Sequence, residues 1–307
     1  MQTTAIVFDQ PGRLDVRPLR LRDPRDGDVV VEVRHSGIST GTERLLWTGR
    51  MPAFPGMGYP LVPGYEAVGT VVEAPEGASV RPGTQVFVPG THAFEDVRCL
   101  FGASAAALVV PHDRIVPVDR ALGADAALLA LAATARHAIA DATPDLVVGH
   151  GALGRLVARL AVAAGGPVPT VWETEPRRRD GARGYEVVHP DADPRRDYRT
   201  IVDVSGDAAL VDTLIARLAP GGEVVLAGFY ADRIGFAFPP AFMKEARLRI
   251  AAQWQPADLE AVRGLVADGT LCLDGIVSHS APATDAAHAY ATAFDDPDCL
   301  KMVLTWS

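Results

Sequence analysis

The chain has 307 residues, enough for two domains that each bury a core. Hydrophobic residues at 48% and charged residues at 22% describe an ordinary globular protein, and a net charge of −9 speaks against a nucleic-acid surface. Cys99, Cys272 and Cys299 are few and scattered, so they build neither a disulfide framework nor a cysteine zinc site, which suits a reducing compartment. Residues 1–8 read as a strand and lack the basic-then-apolar pattern of a signal peptide, so a cytoplasmic location is expected. Further short β runs lie at 29–34 and 67–73, separated from others by turns at Pro63-Gly64, Pro82-Gly83 and Pro89-Gly90. Near Ala121 the character changes to an Ala/Leu-rich helix, 126–140. Asp125, Arg136 and His137 interrupt that region, and no run approaches the ~18 apolar residues of a membrane span. Strands and helices then alternate: strand 146–148, helix 154–164, strands 169–172 and 200–204, helix 208–218, strand 223–227. That order predicts an α/β chain with a parallel, doubly wound sheet. A helix at 258–267 and a closing strand at 301–304 complete the chain.

The most informative stretch is Gly149-His150-Gly151-Ala152-Leu153-Gly154, entered from an apolar strand and followed by an apolar-periodic helix. In a dinucleotide site the first glycine makes the tight turn, the second admits a pyrophosphate to the backbone, and the third packs helix against strand. The N-terminus of the following helix offers free N–H groups and a partial positive charge to phosphates, and Ala152 and Leu153, in the turn that leads into it, are expected cofactor contacts. The next strand ends in Glu173, nineteen residues after Gly154. An acid that accepts the ribose hydroxyls is expected at a spacing of roughly 20. NAD is therefore the expected cofactor, because Glu173 repels a 2′-phosphate. Arg177, Arg178 and Arg179 keep the opposite case open, since they are able to fold over such a phosphate. Ser205 and Gly228 lie at strand ends, where sheets of this order bind ligands.

The fingerprint is accompanied by Ser36-Gly37-Ile38-Ser39-x-Gly41-Thr42-Glu43, Pro63-Gly64-Tyr65-Glu66-Ala67-Val68-Gly69, Gly83-Thr84-Gln85-Val86 and Leu218-x-Pro220-Gly221-Gly222. Together these pieces resemble the medium-chain dehydrogenase/reductase superfamily over nearly the whole chain. The resemblance implies a GroES-like, β-rich substrate domain at 1–140 and 254–307, and a Rossmann domain at 141–253. It also implies that Thr134 approaches the nicotinamide and that Lys301 reaches the pyrophosphate, an ordinary strand-end charge being the other reading of Lys301. A closer resemblance, to the bacteriochlorophyllide a dehydrogenases within that superfamily, lies in three segments. They are residues 39–49, residues 54–66, and His92-Ala93-Phe94-Glu95-Asp96-Val97. It implies NAD-dependent oxidation of the 3-(1-hydroxyethyl) group of a bacteriochlorophyllide to 3-acetyl, in bacteriochlorophyll synthesis.

Zinc-dependent members of the superfamily hold their metal with a Cys, a His and a further Cys or acid. The matching positions here are Ser39, Tyr65 and Ala130, none a usual zinc ligand. Of a structural zinc lobe only Cys99 remains. No metal is expected, although His92, Glu95 and Asp96 form one other candidate group, a solvated turn being the alternative. Alcohol oxidation then draws its base and its charge-stabilising donors from side chains. The candidates are Ser39, Thr42, Glu43, Tyr65 and Glu66. Each has a second reading: Tyr65 as packing into the space a metal would fill, Ser39 and Thr42 as local turn bonding, and Glu43 and Glu66 as structural partners of Arg44 or Arg34.

Trp47, Met51, Phe54, Met57 and Tyr59, interleaved with prolines, supply stiff, polarizable apolar surface. They form either one wall for a planar tetrapyrrole or core filling. His92 belongs to the same candidate substrate surface, and His92, His112 and His137 are the histidines considered for the magnesium of such a substrate. The expected partner is thus a bacteriochlorophyllide, with no nucleic acid, no membrane span, and a homodimer as one assembly open to the chain. Two other functions compete: a zinc-free NADPH quinone or enone reductase, and a non-catalytic nucleotide-binding sensor.

Overall fold

The computed structural model describes every residue except Phe54, so the substrate contact expected of Phe54 lies outside the described residues. The chain forms two compact units, Met1–Ala130 with Ile276–Ser307, and Leu131–Gly275. These limits differ from the expected 140 and 254, and side-chain contacts of Asp258, Arg249 and Arg159 accompany the difference. Asp258 accepts from Arg136 Nη1 at 2.5 Å, pairs with His137 Nδ1 at 2.9 Å, and accepts from Gln255 N at 2.9 Å. Asp258 thereby fastens helix Leu129–Ala138 to helix Pro256–Ala267, while Arg249 Nη2 donates to the Ala138 carbonyl at 2.7 Å and Arg159 Nη1 to the Cys272 and Asp274 carbonyls at 2.8 and 3.1 Å, so both helices go with the second unit for most or all of their length.

The first unit is built on a seven-stranded sheet. Its path runs His279–Pro282, Met302–Thr305, Asp28–Ile38, Ala67–Glu73, Gln85–Val88, Val116–Pro117, and Ala107–Pro111 pairs off that path with Asp28–Ile38. Asp28–Ile38 is buried along most of its length and has strand partners on both of its edges. A four-stranded sheet, Arg13–Arg20, Gln2–Gln10, Leu61–Val62 and Arg98–Cys99, completes the unit. Phe8, Ile38, Leu108 and Tyr290 are among the fully buried residues of this core. Each buried apolar side chain of Phe or Leu size contributes roughly 1.5–3 kcal/mol.

The second unit is the parallel sheet expected from the alternating pattern. Its six strands lie in the order Glu186–Val188, Thr170–Trp172, Leu146–Val148, Tyr198–Asp203, Leu218–Leu226, Arg247–Ile250, every pair parallel. Chain direction across the sheet reverses at Leu146–Val148, which puts a switch point at the carboxyl end of that strand and of Tyr198–Asp203. The glycine turn sits there. Gly149 has φ +101, a left-handed conformation that a side chain disfavours. The following helix, Ala152–Ala163, approaches so closely that a Cβ on Gly154 would overlap the Gly149 carbonyl oxygen. Gly151 is different: no atom lies within 4 Å of the place a Cβ would take.

Gly154→Ala should therefore destabilise the fold by about 1–3 kcal/mol, the usual result of overpacking, seen as a lower urea midpoint at unchanged m-value. Gly151→Ala should leave the midpoint close to that of the parent chain.

Candidate active site

In the first unit, strand Asp28–Ile38 delivers Ser39 to a turn that opens helix Thr42–Thr48. Ser39 Oγ and Tyr65 Oη are 2.7 Å apart, and the Thr42 N–H approaches the same Oγ at 3.4 Å. The Ser39 N–H donates to Glu43 Oε1 at 3.0 Å, and Tyr290 Oη donates to Glu43 Oε2 at 2.5 Å. Burial pushes the Glu43 carboxyl up to about 7, the Tyr290 and Ser39 hydrogen bonds working against it. Burial also drives the Tyr65 phenol upward, with Glu66 adding to the effect, so it stays protonated and able to donate. Phe101 holds the ring edge-on at 5.2 Å. Thr42, half-buried beside this pair, contributes its backbone N–H.

Glu66 is fully buried and forms an ion pair with Lys301, itself 1% exposed. Gly37 makes room for the pair: a Cβ there would collide with Glu66 Oε2 and lie 2.9 Å from Lys301 Cε. Glu66 Oε1 is buried without a hydrogen-bond partner. Burial raises the Glu66 carboxyl and Lys301 opposes that rise. The expectation that Arg44 or Arg34 would partner Glu43 and Glu66 is corrected here. Arg44 faces Asp295 at 3.6 Å and Arg34 faces Glu32 at 3.6 Å, both exposed enough to remain solvated, whereas the two buried acids take Tyr290 and Lys301.

The apolar segment is divided between roles. Met51 belongs to the core, while Trp47, Met57 and Tyr59 are half-buried against it. Trp47 meets Phe8 edge-on at 5.6 Å, and Tyr59 Oη donates to the Leu46 carbonyl. His92 is exposed. Asp96 and Glu95 face Arg20 at 2.9 and 3.8 Å, and among the described residues no group of three or more His, Cys, Asp or Glu is placed to hold a metal ion. The three positions matching zinc ligands hold a hydroxyl pair, Ser39 and Tyr65, and a buried methyl, Ala130.

In the second unit the glycine turn and Glu173 come together. The His150 N–H donates to Glu173 Oε2 and the Glu175 N–H to Oε1, both at 2.9 Å. Each oxygen keeps a lone pair for a further donor. Ala152 and Leu153 form the first turn of the following helix, whose N–H groups have no acceptor within the helix. The open space at Gly151 is what a diphosphate over this turn requires, so the residues present fit a dinucleotide. Ser205 is exposed, its N–H on Asp203 Oδ1 at 2.9 Å, and Gly228 N–H reaches the Asp203 carbonyl at 3.1 Å. Arg177 Nε is held by Glu175 at 3.2 Å, and the Arg179 guanidinium by the carbonyls of Glu173 and Thr174 at 3.0 and 2.9 Å. Thr134 is half-buried on helix Leu129–Ala138. Sequence reasoning missed Tyr290 and the buried partners of His150. Tyr290 lies 247 residues from Glu43, and no local pattern announces such a pairing.

The sheet architecture and the glycine turn define a dehydrogenase-type fold of GroES-like and Rossmann units. The profile of the alcohol dehydrogenase GroES-like domain matches residues 25–120. A short chain alcohol dehydrogenase from E. coli, solved with NADH, superposes with a TM-score of 0.83 at 18% identity, over 99% of each chain. That likeness concerns the fold. The chain is also 59% identical to the 2-desacetyl-2-hydroxyethyl bacteriochlorophyllide A dehydrogenase of Cereibacter sphaeroides, over 100% of this chain and 99% of the relative. To the protein of that name from Rhodobacter capsulatus it is 57% identical, again over 100% and 99%. It belongs to the family of these bacteriochlorophyllide dehydrogenases.

Two measurements probe the buried acids. Lys301→Met should cost about 3–5 kcal/mol by stranding a buried carboxylate, and adding Glu66→Gln should return most of that loss in urea unfolding. A raised acid stabilises the fold fully below its unfolded value and loses that contribution as pH rises through the folded one. Glu43 should therefore make the parent chain less stable as pH climbs from 4.5 to about 7. Glu43→Gln should flatten that slope by ~2–3 kcal/mol.

Proposed function

We propose that the chain is an NAD-dependent dehydrogenase that oxidises the 3-(1-hydroxyethyl) group of a bacteriochlorophyllide to 3-acetyl in the cytoplasm. The observation that carries this reading is the full-length likeness to two dehydrogenases that bear that substrate in their names. The nicotinamide, when bound, supplies the hydride acceptor. Around it the chain's own residues divide the rest of the work. Ser39 and Tyr65, with hydroxyls 2.7 Å apart, take the substrate oxygen by hydrogen bonding in place of a Lewis acid. Thr42 and Glu43 fix Ser39, and Glu66 with Lys301 fixes the strand ends from which the hydroxyl pair projects. The hydroxyl to be oxidised adjoins a conjugated macrocycle, so the ketone gains conjugation and the demand on a base is reduced; the hydroxyl proton leaves along the Ser39–Tyr65 hydroxyl pair to water. Trp47, Met57 and Tyr59 offer half-exposed apolar edges to the ring. Glu173, retaining a lone pair on each oxygen, accepts the ribose hydroxyls and disfavours a 2′-phosphate. Thr134 is assigned to the nicotinamide side on the superfamily resemblance.

A homodimer belongs to the same proposal. Strand Arg247–Ile250 ends the six-stranded sheet with an unpaired edge, and Phe238, Phe242, Met243 and Ile250 are exposed on it and on the adjacent helix Phe238–Lys244. Pairing two copies along that edge satisfies its backbone and covers the apolar side chains together. Light scattering should give twice the chain mass, and Ile250→Lys should return one.

The activity is tested by mixing protein, NAD and the hydroxyethyl pigment. The long-wavelength absorption band should move to the red as a carbonyl joins the ring, with NADH formed in equal amount. Tyr65→Phe should lower kcat by about 100-fold, the scale of a lost charge-stabilising donor, without weakening NADH binding. A protein that binds NADH yet leaves the band unmoved contradicts the substrate.

A further inference from the structure

His150, the second residue of the glycine fingerprint, has a fully buried ring. Its Nδ1 lies 2.6 Å from the carbonyl oxygen of Arg178. A carbonyl only accepts, so Nδ1 carries the proton. Nε2 is left with its lone pair and accepts from the Tyr185 hydroxyl at 2.9 Å, the two rings meeting edge to face at 5.5 Å. Burial pushes the imidazole down to about 4, with Arg155 and Arg159 adding positive charge nearby, so this neutral form persists at ordinary pH. Arg155, in the first turns of the following helix, joins the same pieces. Its Nε donates to the His150 carbonyl at 3.2 Å, and its Nη2 donates to the carbonyls of Arg178 and Asp180 at 3.0 and 2.7 Å. Gly181 leaves space for that guanidinium, since a Cβ there would run into Arg155 Nη1. With the His150 N–H on Glu173, the glycine turn, the acid and the segment 174–181 are one fastened body.

The segment so held carries the arginines that decide whether a phosphate is welcome beside Glu173. Arg177 is on Glu175, and Arg179 caps the carbonyls of Glu173 and Thr174. We propose that His150 and Arg155 form a clasp that sets coenzyme selectivity. By holding the Arg178 and Asp180 backbone to the glycine turn, they keep Arg177 and Arg179 committed to the protein's own acceptors rather than to a ribose 2′-phosphate. His150 acts here as a positioning residue, and the inference rests on the reading of Glu173 as the ribose acid. Loosening the clasp frees guanidinium groups, so NADPH gains and NADH does not.

The test titrates the full-length protein with NADH and with NADPH by fluorescence. Four variants are compared with the parent: His150→Leu, His150→Asn, Tyr185→Phe and His150→Leu with Arg179→Ala. The parent should favour NADH. His150→Leu should shrink the NADPH-to-NADH ratio of dissociation constants by about fivefold or more, roughly 1 kcal/mol, mainly through tighter NADPH. His150→Asn keeps a donor at the Nδ1 position and should hold the parent ratio. Removing Arg179 from the Leu variant should cancel the gain. Tyr185→Phe loses only a hydroxyl, so it reports a smaller shift of the same sign even where the Leu variant fails to fold. A folded His150→Leu or Tyr185→Phe that keeps the parent ratio overturns the clasp. A parent chain that binds NADPH as well as NADH overturns the assignment of Glu173 instead, and one that binds neither overturns the nicotinamide reading.

Discussion

A buried carboxylate and a buried ammonium organise the first unit. Glu66 precedes strand Ala67–Glu73, Lys301 precedes strand Met302–Thr305, and both strands flank Asp28–Ile38. The pair closes over Gly37 of that middle strand, the position where any side chain would collide with it. Taking both charges out of water costs several kcal/mol each, which their attraction offsets only while both are present and close. This makes the arrangement all-or-nothing at one point of the sheet. Tyr65 stands next to Glu66 and Ser39 two residues beyond Gly37, so the same constraint brings the two hydroxyls to 2.7 Å.

Around this point polar groups are paired inside the protein rather than opened to water, apart from the unpartnered Glu66 Oε1. Glu43 binds the Ser39 backbone from one side and Tyr290 from the other, which turns the first residues of helix Thr42–Thr48 toward the hydroxyl pair. In the second unit the problem is solved with backbone instead. Glu173 takes two main-chain N–H groups, and the buried His150 ring is satisfied by a carbonyl and a phenol. In both units the key acids take one partner close in the chain and one distant in it: Ser39 and Tyr290 for Glu43, Glu175 and His150 for Glu173.

That distance explains what the sequence discloses. The strand at 146–148, the glycine turn and the acid at 173 are local patterns, and the structure returns them as Leu146–Val148, the turn before helix Ala152–Ala163, and a residue at the end of strand Thr170–Trp172. The helix read as 208–218 begins instead as a short 3-10 turn capped by Asp207 and becomes α-helical at Val211–Arg217, because the cap geometry and not the apolar period sets its start. Helix Thr42–Thr48, a single short element, and the Ala-rich helix Ala286–Asp295 are not legible from the apolar pattern. The acids at 43 and 66 are legible as site candidates, but spacing points to nearby arginines as their partners. Burial selects the partner that can be desolvated with the acid: Tyr290 for Glu43, and for Glu66 the residue Lys301, which the superfamily resemblance assigns to the pyrophosphate but which is 1% exposed and paired with Glu66. Met51 likewise gives its surface to the core, whereas Trp47, Met57 and Tyr59 keep part of theirs.

The central claim is that a hydroxyl pair stands in for a metal in the oxidation of the alcohol. The most direct measurement is elemental analysis of the purified, active protein, with turnover of the hydroxyethyl pigment followed before and after a strong chelator. Ser39, Tyr65 and Ala130 at the ligand positions predict far less than one zinc per chain and undiminished turnover. One tightly held zinc per chain, with turnover lost on its removal and restored on its return, would contradict the account.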